Sequence, residues 1–138
     1  MFMKKLALIV ACFILLLTCQ SVANAKGNTG DTYWKNEFRV WSPYDHTPAR
    51  KKINTSAYYN RNYGSVSESS RRVTEMKIWA ALYDGRDVSN NHSYWVTRGQ
   101  VTKLYNLAVE NYSSGVAVRI DAYSKQNGFL DGVWSPDS

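Results

Sequence analysis

The sequence has two cysteines, and both, Cys12 and Cys19, fall before residue 26. Lys4-Lys5, the apolar run from Leu6 to Leu17 and the small residues of Ala23-Asn24-Ala25 have the layout of a secretory signal peptide cut after Ala25. The expected mature form, residues 26–138, then carries no thiol at all. This excludes disulfides, thiolate zinc sites and cysteine nucleophiles, and leaves the apolar core to hold the domain. Cysteine-free export also leans toward a bacterium that does not rely on oxidative folding. The apolar run is shorter than the ~20 residues of a membrane span, so no transmembrane segment is expected in the mature form. Cys19 follows Leu16-Leu17-Thr18, a poor fit to a lipidation site because of the threonine. Whether Cys19 is lipidated stays open.

Acidic residues are also scarce, with 11 Asp and Glu against 17 Lys and Arg. Loss of Lys4 and Lys5 lowers the formal charge from +6 to +4. Outside a cell such an excess favours anionic wall polymers or lipid head groups over nucleic acid, or serves solubility alone. The two histidines, His46 and His92, sit in polar surroundings with no nucleophile elbow, and no His-Glu-x-x-His pair offers a zinc site. Asp84-Gly85-Arg86-Asp87 lacks the acid density of a calcium loop and reads as a turn. Glu68, Glu75 and Glu110 have no spacing that selects a glycosidase pair, and no glycine-rich phosphate loop is present. Three Asn-x-Ser/Thr triplets occur, at Asn54, Asn91 and Asn111, as chance yields in a chain rich in Asn and Ser. No cofactor and no metal are expected.

Aromatic residues are abundant, with 5 Trp, 10 Tyr and 4 Phe. With Val, Thr and Ser they indicate a β-rich domain. The organising stretch is Val73 to Tyr83. At period two, Thr74, Met76, Ile78, Ala80 and Leu82 share a core face, while Val73, Glu75, Lys77, Trp79, Ala81 and Tyr83 share an outer one. A helix is the rival reading. Asp84-Gly85 and the following Ser93–Thr97 favour a strand and a broad hairpin, with a mobile polar loop at 89–92.

Elsewhere, residues 26–35 read as a flexible amino-terminal segment and 36–138 as one domain. Glu37–Ser42 is a candidate first strand, with Phe38 and Val40 on one side and Pro43 as its stop. Tyr44–Ile53, with the basic run Arg50-Lys51-Lys52, is expected as an exposed crossing loop. Asn54–Arg61 is a polar strand, at an edge or half buried, joined by the Ser-rich 65–70 to the long strand. Val101, Leu104, Tyr105, Ala108 and Tyr112 fit one short helix, capped by Thr102 and ended by Gly115. In 115–123, Val116, Val118, Ile120 and Ala122 form a core face opposite Arg119 and Asp121. Val133-Trp134-Ser135-Pro136 repeats Val40-Trp41-Ser42-Pro43. Two copies fall short of a repeat architecture, so the choice lies between coincidence and two Trp anchors against one core. The fold expected is mainly β, a small two-layer β-sandwich-like domain with one short helix.

Gly132-Val-Trp-Ser-Pro-Asp-Ser138, with Leu107-Ala-Val-Glu110 and Arg50-Lys-Lys-Ile-Asn-Thr-Ser56, resembles an uncharacterised family of small secreted proteins of Bacillus and related Gram-positive bacteria. The resemblance spans most of residues 26–138, and its distinctive element is the closing Trp-Ser-Pro-Asp. It implies export and a single compact β-rich domain, and carries over no catalytic residue, cofactor or ligand.

One constellation has the chemistry of recognition. Tyr58, Tyr59, Arg61, Tyr63, Arg71 and Arg72, joined by Lys77 and Trp79 on the long strand, combine rings that stack on sugars with cations that hold phosphate or carboxylate. The bland alternative is tyrosines half-buried in the sheet beside solvated charges. The expectation is therefore a secreted, non-enzymatic binding protein at the bacterial cell envelope, with an anionic polymer or glycan as partner. An antimicrobial, bacteriocin-like protein and a small secreted hydrolase are the alternatives.

Overall fold

The computed structural model describes residues 26–63 and 73–138, so Arg71, Arg72, Glu68 and the Ser-rich 65–70 lie outside the described residues. Among the described residues, nine strands form two antiparallel sheets that pack face to face. The first sheet runs β1 (Thr32–Phe38), β9 (Gly128–Ser135), β4 (Tyr58–Asn62), β7 (Val101–Leu104). The second runs β2 (Tyr44–His46), β8 (Ala117–Tyr123), β5 (Glu75–Leu82), β6 (Tyr94–Thr97), and β3 (Arg50–Lys51) pairs further along β8. The single helix among the described residues, α1 (Ala108–Tyr112), is short and links β7 to β8.

The core lies between the sheets and follows the period-two pattern. β5 buries Met76, Ile78, Ala80 and Leu82, and β8 buries Val118, Ile120 and Ala122. Facing them from the first sheet are Trp34, Phe38, Tyr58, Leu104, Leu130 and Trp134. A buried side chain of this kind contributes about 1.5–3 kcal/mol relative to exposure. The expected hairpin is present, with Met76 opposite Val96 and Lys77 opposite Trp95. Its turn is built from Gly85 at φ 90° and an Asp84–Arg86 ion pair of 2.9 Å.

Several boundaries differ from the expectation. The first strand is Thr32–Phe38, overlapping the segment expected to be flexible, because Trp34, Asn36 and Phe38 point inward and Tyr33, Lys35 and Glu37 outward. Asn36 at a core position hides the alternation from a hydrophobic reading. Glu37–Ser42 instead ends in a tight turn, closed by Arg39 N donating to Ser42 O (3.1 Å) and Ser42 N to Arg39 O (2.9 Å). Its tip holds Val40 and Trp41 exposed, Trp41 at 80%. The two Val-Trp-Ser-Pro elements thus have opposite fates, since Trp134 is fully buried and only one of the two anchors the core.

The expected crossing loop contributes β2 and β3 to the second sheet, and its basic run is not all exposed: Lys52 is fully buried. β4 is no edge strand but lies between β9 and β7. The helix shrinks to 108–112, and Val101–Leu104 is strand, with Thr102 and Leu104 inward and Val101 and Lys103 outward. Leu104 satisfies both periods, and pairing with β4 decides between them.

Inward asparagines make a polar seam through this core. Trp34 Nε1 donates to Asn60 Oδ1 (3.0 Å), Asn60 Nδ2 to Asn62 Oδ1 (2.9 Å), and Asn62 Nδ2 to the Thr97 carbonyl of the opposite sheet (3.1 Å). Such a satisfied network specifies how the layers stack. Gly132 lies flat beneath Trp34, where a Cβ would come within 2.7 Å of the indole and 2.1 Å of the Arg61 carbonyl.

A buried ion pair ties the two ends of the domain together. Lys52 Nζ donates to Asp137 Oδ1 (2.8 Å), to the Pro136 carbonyl (2.7 Å) and to the Ser56 carbonyl. Asp137 also accepts from the backbone N–H groups of Asn28 (2.7 Å), Ile53 (3.0 Å) and Asn54 (3.3 Å). Burial by itself would raise the Asp137 carboxyl, but the hydrogen bonds from Lys52 and the backbone outweigh it and hold the group below its ordinary value. Burial pushes the Lys52 ammonium down, against the pull of Asp137, and with three acceptors around it the ammonium keeps its proton. The segment from Asn28 onward is therefore docked.

Candidate functional site

The sandwich divides the predicted constellation. Tyr58 belongs to the core, fully buried, with its hydroxyl donating to the Ala81 carbonyl (3.1 Å); burial pushes that hydroxyl's pKa strongly upward. Tyr59, half-buried, Arg61 and Tyr63 lie on the outside of the first sheet, with the Arg61 guanidinium 5.4 Å from the Tyr63 ring. Lys77 and Trp79 project from the far side of the molecule, on the outer face of the second sheet. Tyr58 is a core residue, and Tyr59, Arg61 and Tyr63 lie on one surface while Lys77 and Trp79 lie on another; Arg71 and Arg72 lie outside the described residues.

The second of these surfaces has the richer chemistry. Strand alternation puts Lys77 and Trp79 of β5 outward, as it does Trp95 of β6, Tyr123 of β8 and Tyr44 of β2. Register then aligns Trp95, Lys77, Tyr123 and Tyr44 in one row across four strands. A second row carries Trp79, Asp121 and His46. The rings pack side by side: Tyr44 and Tyr123 are 5.1 Å apart between centroids, and Tyr44 meets Trp79 edge-on at 6.5 Å. The Lys77 ammonium sits among three of them, 5.6 Å from Tyr123, 5.9 Å from Trp79 and 6.0 Å from Trp95, within cation–π range. Tyr44 remains 63% exposed and Trp95 51%, so the cluster is a surface and not a second core.

Two hollows flank the Tyr44 ring. One, of about 370 Å³, is bounded by Lys77 and Trp79 and by the loop residues Asp87, Ser89, Asn91 and His92. The other, of about 290 Å³, lies among Asp45, His46, Arg119 and Asp121. The loop beside the first hollow is shaped by Asn90 and Asn91 at φ 49° and 64° and by the His92 ring, whose Nδ1 donates to the carbonyls of Ser89 (2.9 Å) and Asn90 (3.0 Å). His92 also stacks on Tyr105, centroids 4.4 Å apart.

The groups that could do acid–base work here are engaged. Arg119 Nε donates to Asp121 Oδ1 (2.6 Å) and its Nη1 to the Tyr83 carbonyl (3.0 Å). Asp45 accepts from the N–H groups of Glu37 and His46, both at 2.8 Å. His46, on β2 rather than in a loop, gives its Nδ1 proton to the Thr47 carbonyl (2.8 Å). No set of three or more His, Cys, Asp or Glu side chains among the described residues is placed to hold a metal ion.

Sequence reasoning placed Lys77 and Trp79 on an outward face but missed Tyr44, Trp95 and Tyr123. Trp95 carried a signal, lying in the predicted return strand. Tyr44 fell in a supposed loop, and only its pairing with β8 brings it beside Tyr123.

Fold and surface together define a two-layer antiparallel β-sandwich whose second sheet presents an aromatic outer face. The chain belongs to the family described as protein of unknown function, DUF2712, whose family model matches residues 21–138. No curated protein and no solved structure matches the chain.

Proposed function

We propose that this protein is a non-enzymatic carbohydrate-binding module, exported and acting at the cell envelope, whose binding surface is the outer face of the second sheet. The observation that carries the reading is the cluster Tyr44, Trp79, Trp95 and Tyr123: Trp79 and Tyr123 held against Tyr44, and Trp95 on the far side of Lys77, on a sheet whose inner face already packs a core. Apolar ring surface left partly exposed by a folded domain costs solvation and is a mark of recognition surfaces. Pyranose rings present a flat face of C–H groups to such platforms, and the hydroxyls at their rims find partners in Asp87, Ser89 and Asn91 around the adjoining hollow. The engagement of Asp121, Asp45 and His46 with neighbouring groups supports binding over hydrolysis at this face.

The test is retention of the purified domain on isolated cell-wall polysaccharide and on a panel of soluble glycans, followed by intrinsic Trp fluorescence. Trp79→Ala and Trp95→Ala are expected to abolish retention while leaving the fold intact by far-UV circular dichroism. Retention unchanged in both variants overturns the assignment of the face.

A further inference from the structure

The row Trp95, Lys77, Tyr123, Tyr44 has a polarity and a length that narrow the ligand. Of the cations on or beside this face, Arg119 is paired with Asp121 and Arg86 with Asp84. Lys77 has no carboxylate within ion-pair distance among the described residues. Its ammonium is surrounded by ring faces instead, and it stands at the centre of the platform rather than at its rim. A cation framed by aromatic rings and lacking a counter-ion is a ready partner for an anionic substituent on a ligand stacked against those same rings. The row also crosses four neighbouring strands, so its members repeat at the strand spacing of about 5 Å. One pyranose unit has a similar length. A ligand lying along the row covers several residues of a chain, more than a single sugar can fill.

We infer that the outer face of the second sheet binds an acidic glycan chain laid across the strands, several pyranose rings on Tyr44, Tyr123 and Trp95, with an anionic substituent against Lys77. The inference rests on the carbohydrate-binding reading and adds the charge of the ligand, its length and its direction on the sheet.

The experiment measures binding of the full mature chain to three uronic-acid polymers of different linkage, polygalacturonate, alginate and hyaluronate, each beside its neutral twin with the carboxyls esterified. Poly(glycerol phosphate) serves as a second anionic source, and oligomers of one to six units give the length dependence. At least one acid polymer is expected to bind more tightly than its neutral twin, with affinity rising from one unit to about four. Lys77→Met keeps the apolar stem and removes the charge, and is expected to erase the preference, a loss of about fivefold on the scale of an exposed ion pair. Neutral twins bound as well as the acids, or a preference undiminished in Lys77→Met, overturns the inference and leaves the carbohydrate reading standing. A single sugar bound as tightly as the hexamer overturns the chain geometry. Failure of every glycan, acid and neutral, overturns both readings. Binding confined to poly(glycerol phosphate) and insensitive to Trp95→Ala overturns stacking and leaves only charge.

Discussion

Removal of the Asp137 carboxylate is the sharpest test of how the domain is closed. In Asp137→Ala the Lys52 ammonium remains fully buried with two carbonyls and no counter-ion, and the N–H groups of Asn28, Ile53 and Asn54 lose their acceptor. Breaking a buried pair from one side costs about 3–5 kcal/mol, a large share of the ~5–15 kcal/mol that holds a domain of this size. With a urea m-value of about 1.5 kcal/mol/M, the midpoint falls by about 2–3 M. Urea titration followed by Trp fluorescence reads this directly. Lys52→Met/Asp137→Ala is expected to recover part of the loss, because no uncompensated charge is left inside. The pH dependence has a defined sign. The folded state holds the Asp137 carboxyl below its ordinary value of 3.8, so its contribution is full above that pH and is lost as the pH falls through the folded value. The gap between wild type and variant therefore narrows below about pH 4. A loss under ~1 kcal/mol, or a double variant at the sum of the singles, refutes the argument.

The two buried tryptophans should differ in a way that only hydrogen bonding explains. Trp34→Phe strands Asn60 Oδ1 and is expected to cost about 1–3 kcal/mol beyond the lost ring area, whereas Trp134, whose Nε1 has no partner among the described residues, should lose no more than the area term in Trp134→Phe; calorimetric midpoints separate them. Gly132→Ala forces a methyl against the Arg61 carbonyl and the Trp34 indole, and is expected to cost about 3 kcal/mol or prevent soluble folding, visible in expression yield and thermal midpoint. Trp41→Ala, at the exposed turn tip, should shift the urea midpoint by no more than the equivalent of about 0.5 kcal/mol, although its tetrapeptide is identical to that around Trp134.

Alternation alone was enough to place Met76, Ile78, Ala80 and Leu82 of β5, the core face of β8 and the β5–β6 hairpin, because these inward residues are apolar. It was wrong at the ends of the stretch, where Val73 and Ala81 are buried and Thr74 is exposed. It was enough for the class of fold and for the outward position of Lys77 and Trp79. It failed for β1 and β7, where Asn36 and Thr102 take core positions and break the apolar alternation. β4 was expected as a strand, and its inward Asn60 and Asn62 hid only that it lies inside the sheet. Asn60 and Asn62 are buried because Trp34, each other and the Thr97 carbonyl satisfy their amides, and partners as distant in sequence as Trp34 and Thr97 are invisible from the chain alone. The same holds for Lys52, which composition assigns to the surface and which 85 residues of separation join to Asp137. It holds for the aromatic face of the second sheet too. Tyr44, Lys77, Trp95 and Tyr123 come from four separate strands, and only strand register sets them in one row. The sequence by itself determined which residue types were available for recognition; tertiary pairing decided which of them stand together, and placed Tyr58 and Arg61 of the expected site in the core and on the opposite side.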